Sequence, residues 1–92
     1  MKKVLLGYKF LKEGFSSLEQ DFELIYPENE YFQREEIMSL LPDCDVLVPS
    51  FKFLTDKDLI DQGKKLQLIA NFGVGYNNID VAYAAQKGIV VT

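Results

Sequence analysis

Short apolar runs punctuate the chain at fairly even spacing: Val4, Leu5 and Leu6; residues 22–26; Val46, Leu47 and Val48; residues 66–70; and Ile89, Val90 and Val91. Most are continuous rather than alternating, which suits strands covered on both faces of a parallel sheet. Between them, apolar residues return at helical spacing. Residues 10–20 set Phe10, Phe15 and Leu18 loosely on one side, interrupted by Gly14. Residues 33–41 carry Ile37, Met38, Leu40 and Leu41 inward and Arg34, Glu35 and Glu36 outward, and Pro42 marks the stop. A third helix is predicted to begin at an N-cap Thr55, with Asp56 and Asp58 opposing the helix dipole in the first turn and Gly63 just past its end. The fourth begins at an N-cap Asp80 and turns Val81, Ala84 and Ala85 inward. It ends at Lys87 and Gly88, a favourable cation followed by a left-handed cap.

Strand and helix alternating in this way predict βαβ units with right-handed crossovers. The expected fold is α/β, a flavodoxin-like open parallel sheet of about five strands with helices on both faces, in the order 2-1-3-4-5. In such a sheet ligands sit beyond the carboxyl ends of the strands, near the point where the strand order reverses. Chemistry is therefore expected in three loops: Gly7-Tyr8-Lys9, Pro49-Ser50-Phe51-Lys52, and residues 71–78.

Composition narrows the possibilities. Ninety-two residues make one small domain. The net charge is −4 and the ten basic residues are scattered, so there is no basic footprint for nucleic acid. No apolar stretch reaches the length of a membrane span. Lys2 and Lys3 precede only three apolar residues, too few for a signal peptide, and no membrane partner is expected. The single cysteine, Cys44, has no internal disulfide partner, which points to a reducing cytoplasm. It reads as a small buried hydrophobe, with Asp43 and Asp45 beside it raising its pKa if they are close in space. The chain has no histidine, hence no imidazole base and too few ligands for zinc. Any acid–base pair has to come from elsewhere.

The richest segment follows the fourth apolar run, where Asn71, Gly73, Val74 and Gly75 lead into the last helix. Gly73-x-Gly75 invites comparison with a dinucleotide fingerprint. That fingerprint needs a third glycine where Asn78 stands, a place after the first strand, and an acidic residue about twenty positions on, and all three are missing. Two readings stay open. The turn is either a purely structural strand-to-helix junction or a cradle whose Val74 and Gly75 N–H groups capture a small carboxylate or phosphate. Asn77 and Asn78 read as turn formers, and Asn71 either shapes the turn or lines a site. Phe51 is a core residue or a pocket wall, and Lys52 is solvated or lends positive potential to an acidic substrate. Gly7-Tyr8-Lys9 lacks the acidic residues of a phosphoacceptor receiver and the hydroxyls of a flavin phosphate loop, which removes both of those readings.

The stretch Leu66-Gln67-Leu68-Ile69-Ala70-Asn71-Phe72-Gly73-Val74-Gly75-Tyr76-Asn77-Asn78-Ile79-Asp80, followed by Ala84-Ala85-Gln86-Lys87-Gly88-Ile89-Val90-Val91-Thr92, resembles the D-isomer-specific 2-hydroxyacid dehydrogenases. The third apolar run and Pro49 to Thr55 also fit, whereas the first forty residues match in pattern only. The resemblance implies the N-terminal segment of a substrate domain, with Val74 and Gly75 binding the substrate carboxylate through backbone N–H groups and Asn71 and Phe51 lining the pocket. It implies a Rossmann domain of the same polypeptide that binds NAD or NADP, and a small 2-keto or 2-hydroxy acid as substrate. This segment is expected to bind no cofactor and no metal, to be inactive alone, and to self-associate, with a homodimer as the expected assembly. A stand-alone module that binds a small carboxylate without catalysis is the alternative.

Overall fold

The computed structural model describes residues 1–9, 11–50, 54–71 and 78–92, with the side chains of Leu11 and Lys12 left out. The apolar runs form β1 (Lys2–Leu6), β2 (Phe22–Ile25), β3 (Val46–Val48), β4 (Leu68–Ile69) and β5 (Val90–Val91). Four helices alternate with them: α1 (Leu11–Phe15), α2 (Arg34–Leu40), α3 (Lys57–Gln62) and α4 (Val81–Gln86). The strands make one 5-stranded sheet in the order β2-β1-β3-β4-β5. Every pairing is parallel. The order expected from the alternation is the order observed, and the reversal falls between β1 and β3.

Side chains alternate across a strand, and the sheet uses that alternation to build two cores. Leu5, Leu47 and Ile69 pair across β1, β3 and β4 and join Ile37, Leu41, Leu59, Ile60 and Ala84 from α2, α3 and α4 and the turn after α2. Val4, Leu6 and Val48 point the other way, against Phe15 at the end of α1 and Phe22 and Leu24 of β2. Helices thus cover both faces, three on one and α1 on the other. No helix among the described residues is long and apolar enough to cross a membrane.

Local chemistry sets most boundaries. Glu36 reaches back to accept from the backbone N–H of Gln33 at 2.9 Å, closing the start of α2. Pro42 does not end the helix directly: α2 stops at Leu40, and Pro42 lies in a 3-10 turn, Leu41–Asp43, appended to it. Asp80 caps α4 by accepting from Tyr83 N at 3.1 Å. Gly88, at φ +79°, supplies the left-handed residue beyond the helix.

Two expectations are corrected. The cap of α3 is Asp56, whose carboxylate accepts from Leu59 N at 3.1 Å, rather than Thr55. Thr55 is fully buried and extended, pairing with Ile79 in a parallel bridge, so its backbone is committed one residue before the cap. In α4 only Ala84 is buried, and Val81 and Ala85 are exposed. A helix of under two turns at the margin of the sheet presents a single line of residues to the core.

Candidate functional site

The carboxyl ends of β1, β3 and β4 lie side by side, and the loops leaving them are drawn together by backbone contacts. Gly7, directly after β1, donates its N–H to Val48 O at 2.7 Å. A Cβ at Gly7 would come within 2.7 Å of Ser50 N and 2.9 Å of the Pro49 carbonyl carbon, so only glycine allows this approach. Pro49 and Ser50 are buried beneath it. The rest of the first loop is tied to the segment before α2, with Lys9 N donating to Glu30 O at 2.9 Å and the Lys9 ammonium to Glu28 O at 3.0 Å. At the end of β4, Asn71 is half-buried and donates its N–H to Thr92 O at 3.0 Å.

The other two candidate loops are clasped at their ends. The Asn78 side chain donates to Ser50 O at 3.3 Å. Asn78 O accepts from Thr55 N at 2.6 Å, and Thr55 O accepts from Asp80 N at 2.9 Å. Ser50 and Thr55 flank the connection after β3, whereas Asn71 and Asn78 flank residues 72–77. Both ends of the connection after β3 are therefore hydrogen-bonded to Asn78, at the carboxyl edge beside the reversal of strand order, while Asn71 is tied to Thr92. Of the residues singled out from sequence, Asn71 stands at this edge. Phe51, Lys52, Gly73, Val74 and Gly75 lie outside the described residues.

The polar side chains at this edge, Ser50, Thr55, Asn71 and Asn78, do not titrate in the neutral range, so they can bind and orient a ligand but cannot relay its protons. Among the titratable groups with displaced pKa values, Asp56 borders this edge, next to Thr55, while the others lie away from it. Burial is the main cause of the Cys44 thiol being pushed up to about 11, with Asp43 and Asp45 adding to the rise against a lowering by Lys3. The thiol donates to Leu40 O at 3.3 Å, and Cys44 is an inert core residue as expected. At the start of α3, the hydrogen bond from Arg34 chiefly holds the Asp56 carboxyl below its usual range. The remaining shifted cluster is Tyr83, Asp61 and Lys87, in which Tyr83 OH donates to Asp61 at 2.5 Å. It borders a cavity of about 240 Å³ lined by Ile60, Asp61, Leu66, Lys87 and Ile89. That cavity lies where β4 and β5 begin, the opposite edge from the clasped loops. Among the described residues no cluster of His, Cys, Asp and Glu could hold a metal ion.

Three residues at or near the edge escape a reading of sequence alone. Gly7 carries a weak local signal, a glycine directly after an apolar strand. Asn78 passes for an ordinary turn former. Arg34, which donates to Leu54 O at 2.9 Å and Asp56 at 2.8 Å, reads as an outward helical charge.

Known proteins resemble this chain in sequence and in fold. Residues 5–92 match the family profile described as D-isomer specific 2-hydroxyacid dehydrogenase, catalytic domain. A Staphylococcus aureus protein named as a 2-hydroxyacid dehydrogenase is 36% identical over 93 residues, covering 100% of this chain and 29% of its own length. A protein of known structure from Thermus thermophilus superposes with a TM-score of 0.88 at 24% identity, over 98% of this chain and 29% of the other, a likeness of fold. An NADPH-dependent glyoxylate/hydroxypyruvate reductase from Sinorhizobium meliloti, solved with NADP and malonate, gives a TM-score of 0.74 at 30% identity, over 99% of this chain and 27% of the other. The chain spans less than a third of each of these proteins.

Proposed function

Because this chain belongs to the D-isomer specific 2-hydroxyacid dehydrogenase family, we propose that it forms the substrate-holding part of an NAD(P)-dependent oxidoreductase that interconverts 2-keto acids and D-2-hydroxy acids. The observation that supports this reading is the clasp at the carboxyl edge, Asn78 to Ser50 and Thr55 to Asn78, which holds both ends of the connection after β3 against the far end of the loop after β4, the two loops where the sequence placed its site residues. Within it, the Val74 and Gly75 amides take the substrate carboxylate and Gly73 permits the turn. Asn71 and Phe51 line the pocket, and Lys52 adds positive potential. Held by the carboxylate, the keto carbon presents one face to the reductant, and that orientation is what this segment contributes to the rate.

The described residues do not fit a dinucleotide. Asn78 stands where the fingerprint needs its third glycine, and its side chain is spent on the Ser50 carbonyl. NAD or NADP, which supplies or accepts the hydride when bound, is assigned to a Rossmann domain of the full-length polypeptide, together with the catalytic acid–base pair. A homodimer in the cytoplasm completes the proposal, in keeping with a lone cysteine that is free and buried.

The test is turnover by the full-length gene product. A panel of 2-keto acids of increasing size is reduced with NADH and with NADPH, and the product is resolved by chiral chromatography. Formation of a D-2-hydroxy acid is expected, with no turnover by the 92-residue chain alone. No reduction of any 2-keto acid, or an L-product, would overturn the enzyme reading. Binding of oxalate without turnover would instead favour a non-catalytic carboxylate module.

A further inference from the structure

Arg34 is the first residue of α2, a position where a charged side chain ordinarily points into water. Here it reaches across to the segment between β3 and α3. One guanidinium nitrogen donates to Leu54 O at 2.9 Å, and the other donates to the Asp56 carboxylate at 2.8 Å. The same carboxylate oxygen accepts from Leu59 N, so the fork also engages the cap of α3. Leu54 is 59% exposed and offers little packing to hold the backbone in place. Its carbonyl accepts from Arg34, and that bond helps to hold the backbone there. On the other side of the same short segment, Thr55 N donates to Asn78 O, the residue that follows the glycine-bearing stretch in sequence.

We propose that Arg34 is a positioning residue for the substrate pocket: its two-pronged hold on Leu54 and Asp56 sets where the connection after β3 ends, and through the bond from Thr55 to Asn78 it sets that end against the glycine turn. The proposal rests on the substrate-pocket reading above. It assigns to a residue on a neighbouring helix, 20 positions away in the chain, a share in substrate affinity and size selectivity. A planar fork can serve a carbonyl and a carboxylate together, whereas the compact ammonium of lysine serves one well and the other poorly. The charge alone is therefore not enough.

The test compares full-length enzyme carrying Arg34→Lys, Arg34→Gln or, as a control at the opposite edge, Lys87→Gln. In both Arg34 variants the KM for 2-keto acids is expected to rise roughly tenfold, as for a small displacement of a binding surface. The KM for the nicotinamide cofactor stays at its parental value, and kcat/KM shifts between small and large 2-keto acids. Arg34→Lys keeps the charge and so the fold, and its thermal midpoint is expected to match that of the Lys87→Gln control, which leaves both KM values unchanged. Parental keto-acid KM and size selectivity in both Arg34 variants would overturn the proposal while leaving the pocket reading intact. Equal changes in the KM for keto acid and for cofactor would overturn it too, pointing to a merely structural role. Absence of 2-keto acid turnover by the parent enzyme would overturn both readings together.

Discussion

Gly7 shows how much one missing atom can decide. The backbone atoms that a Cβ would meet belong to Val48, Pro49 and Ser50, so no side chain can swing aside to make room. Gly7→Ala must push the first loop away from the end of β3 or lose the bond to Val48 O. We expect it to destabilise the full-length protein by about 1–3 kcal/mol, the usual cost of forcing atoms into a filled space, read from urea unfolding with an unchanged slope. A loss below about 0.5 kcal/mol would place the substitution among neutral surface changes and refute the close approach. Gly88 needs its freedom for another reason, its backbone angle, since nothing crowds its Cβ position. One glycine answers to tertiary crowding, the other to the local geometry of a helix end.

The start of α3 joins a cap to an ion pair. Asp56 accepts from Leu59 N and from Arg34, and both interactions favour the charged carboxylate. A carboxyl held below its usual range in the folded state stabilises that state at pH values above its ordinary pKa of 3.8, and the contribution is lost as pH falls through the depressed folded value. The side chain is 43% exposed, so water screens the pair and the effect is modest. Asp56→Asn keeps an oxygen able to cap Leu59 N but removes the titration. The thermal midpoint of the parent is therefore expected to fall more steeply between pH 5 and pH 2.5 than that of Asp56→Asn, the two curves converging in acid. Parallel curves across that range would show that the carboxylate does not stabilise the fold. A similar division of labour holds in α4, where Asp80 sets the start and Ala84 is buried in the core with Tyr83 packed at its margin.

Across the sheet, burial is uneven in a way that no single element reveals. Val4, Val46, Leu68 and Val90 occupy matched positions on β1, β3, β4 and β5, and therefore share one face. Val4 is buried under the α1 side, Val46 and Leu68 are half-buried, and Val90 is 59% exposed. Among the described residues nothing covers the β5 end of this row, and β2 and β5 are open edges. Exposed apolar strand edges pair with other chains. The 92-residue chain by itself is expected to show a concentration-dependent sedimentation coefficient, reduced by Val90→Lys, which places a charge on the open face. A single monomeric species at all concentrations would argue that the face tolerates water.

Much of the architecture was legible in the order of residues. The five strands, the sheet order, the Asp80 cap, the left-handed Gly88 and the buried Cys44 rest on period, composition and chemistry within a few neighbouring positions. Short-range physics is written locally, so it can be read locally. The carboxyl edge was legible as the place where the candidate loops leave the sheet, and Asn71 stands there. What holds that place together was not. The Asn78–Ser50 bond joins residues 28 apart, and Arg34 reaches Leu54 across 20. Gly7 is constrained by the end of a strand that pairs with its own. Thr55 lost the helix cap to Asp56 because its backbone was taken by Asn78 and Asp80, on either side of Ile79 in another segment. Such contacts come into being only once the parallel sheet has brought the strand ends together, and nothing in the local order of residues encodes which partner each will meet.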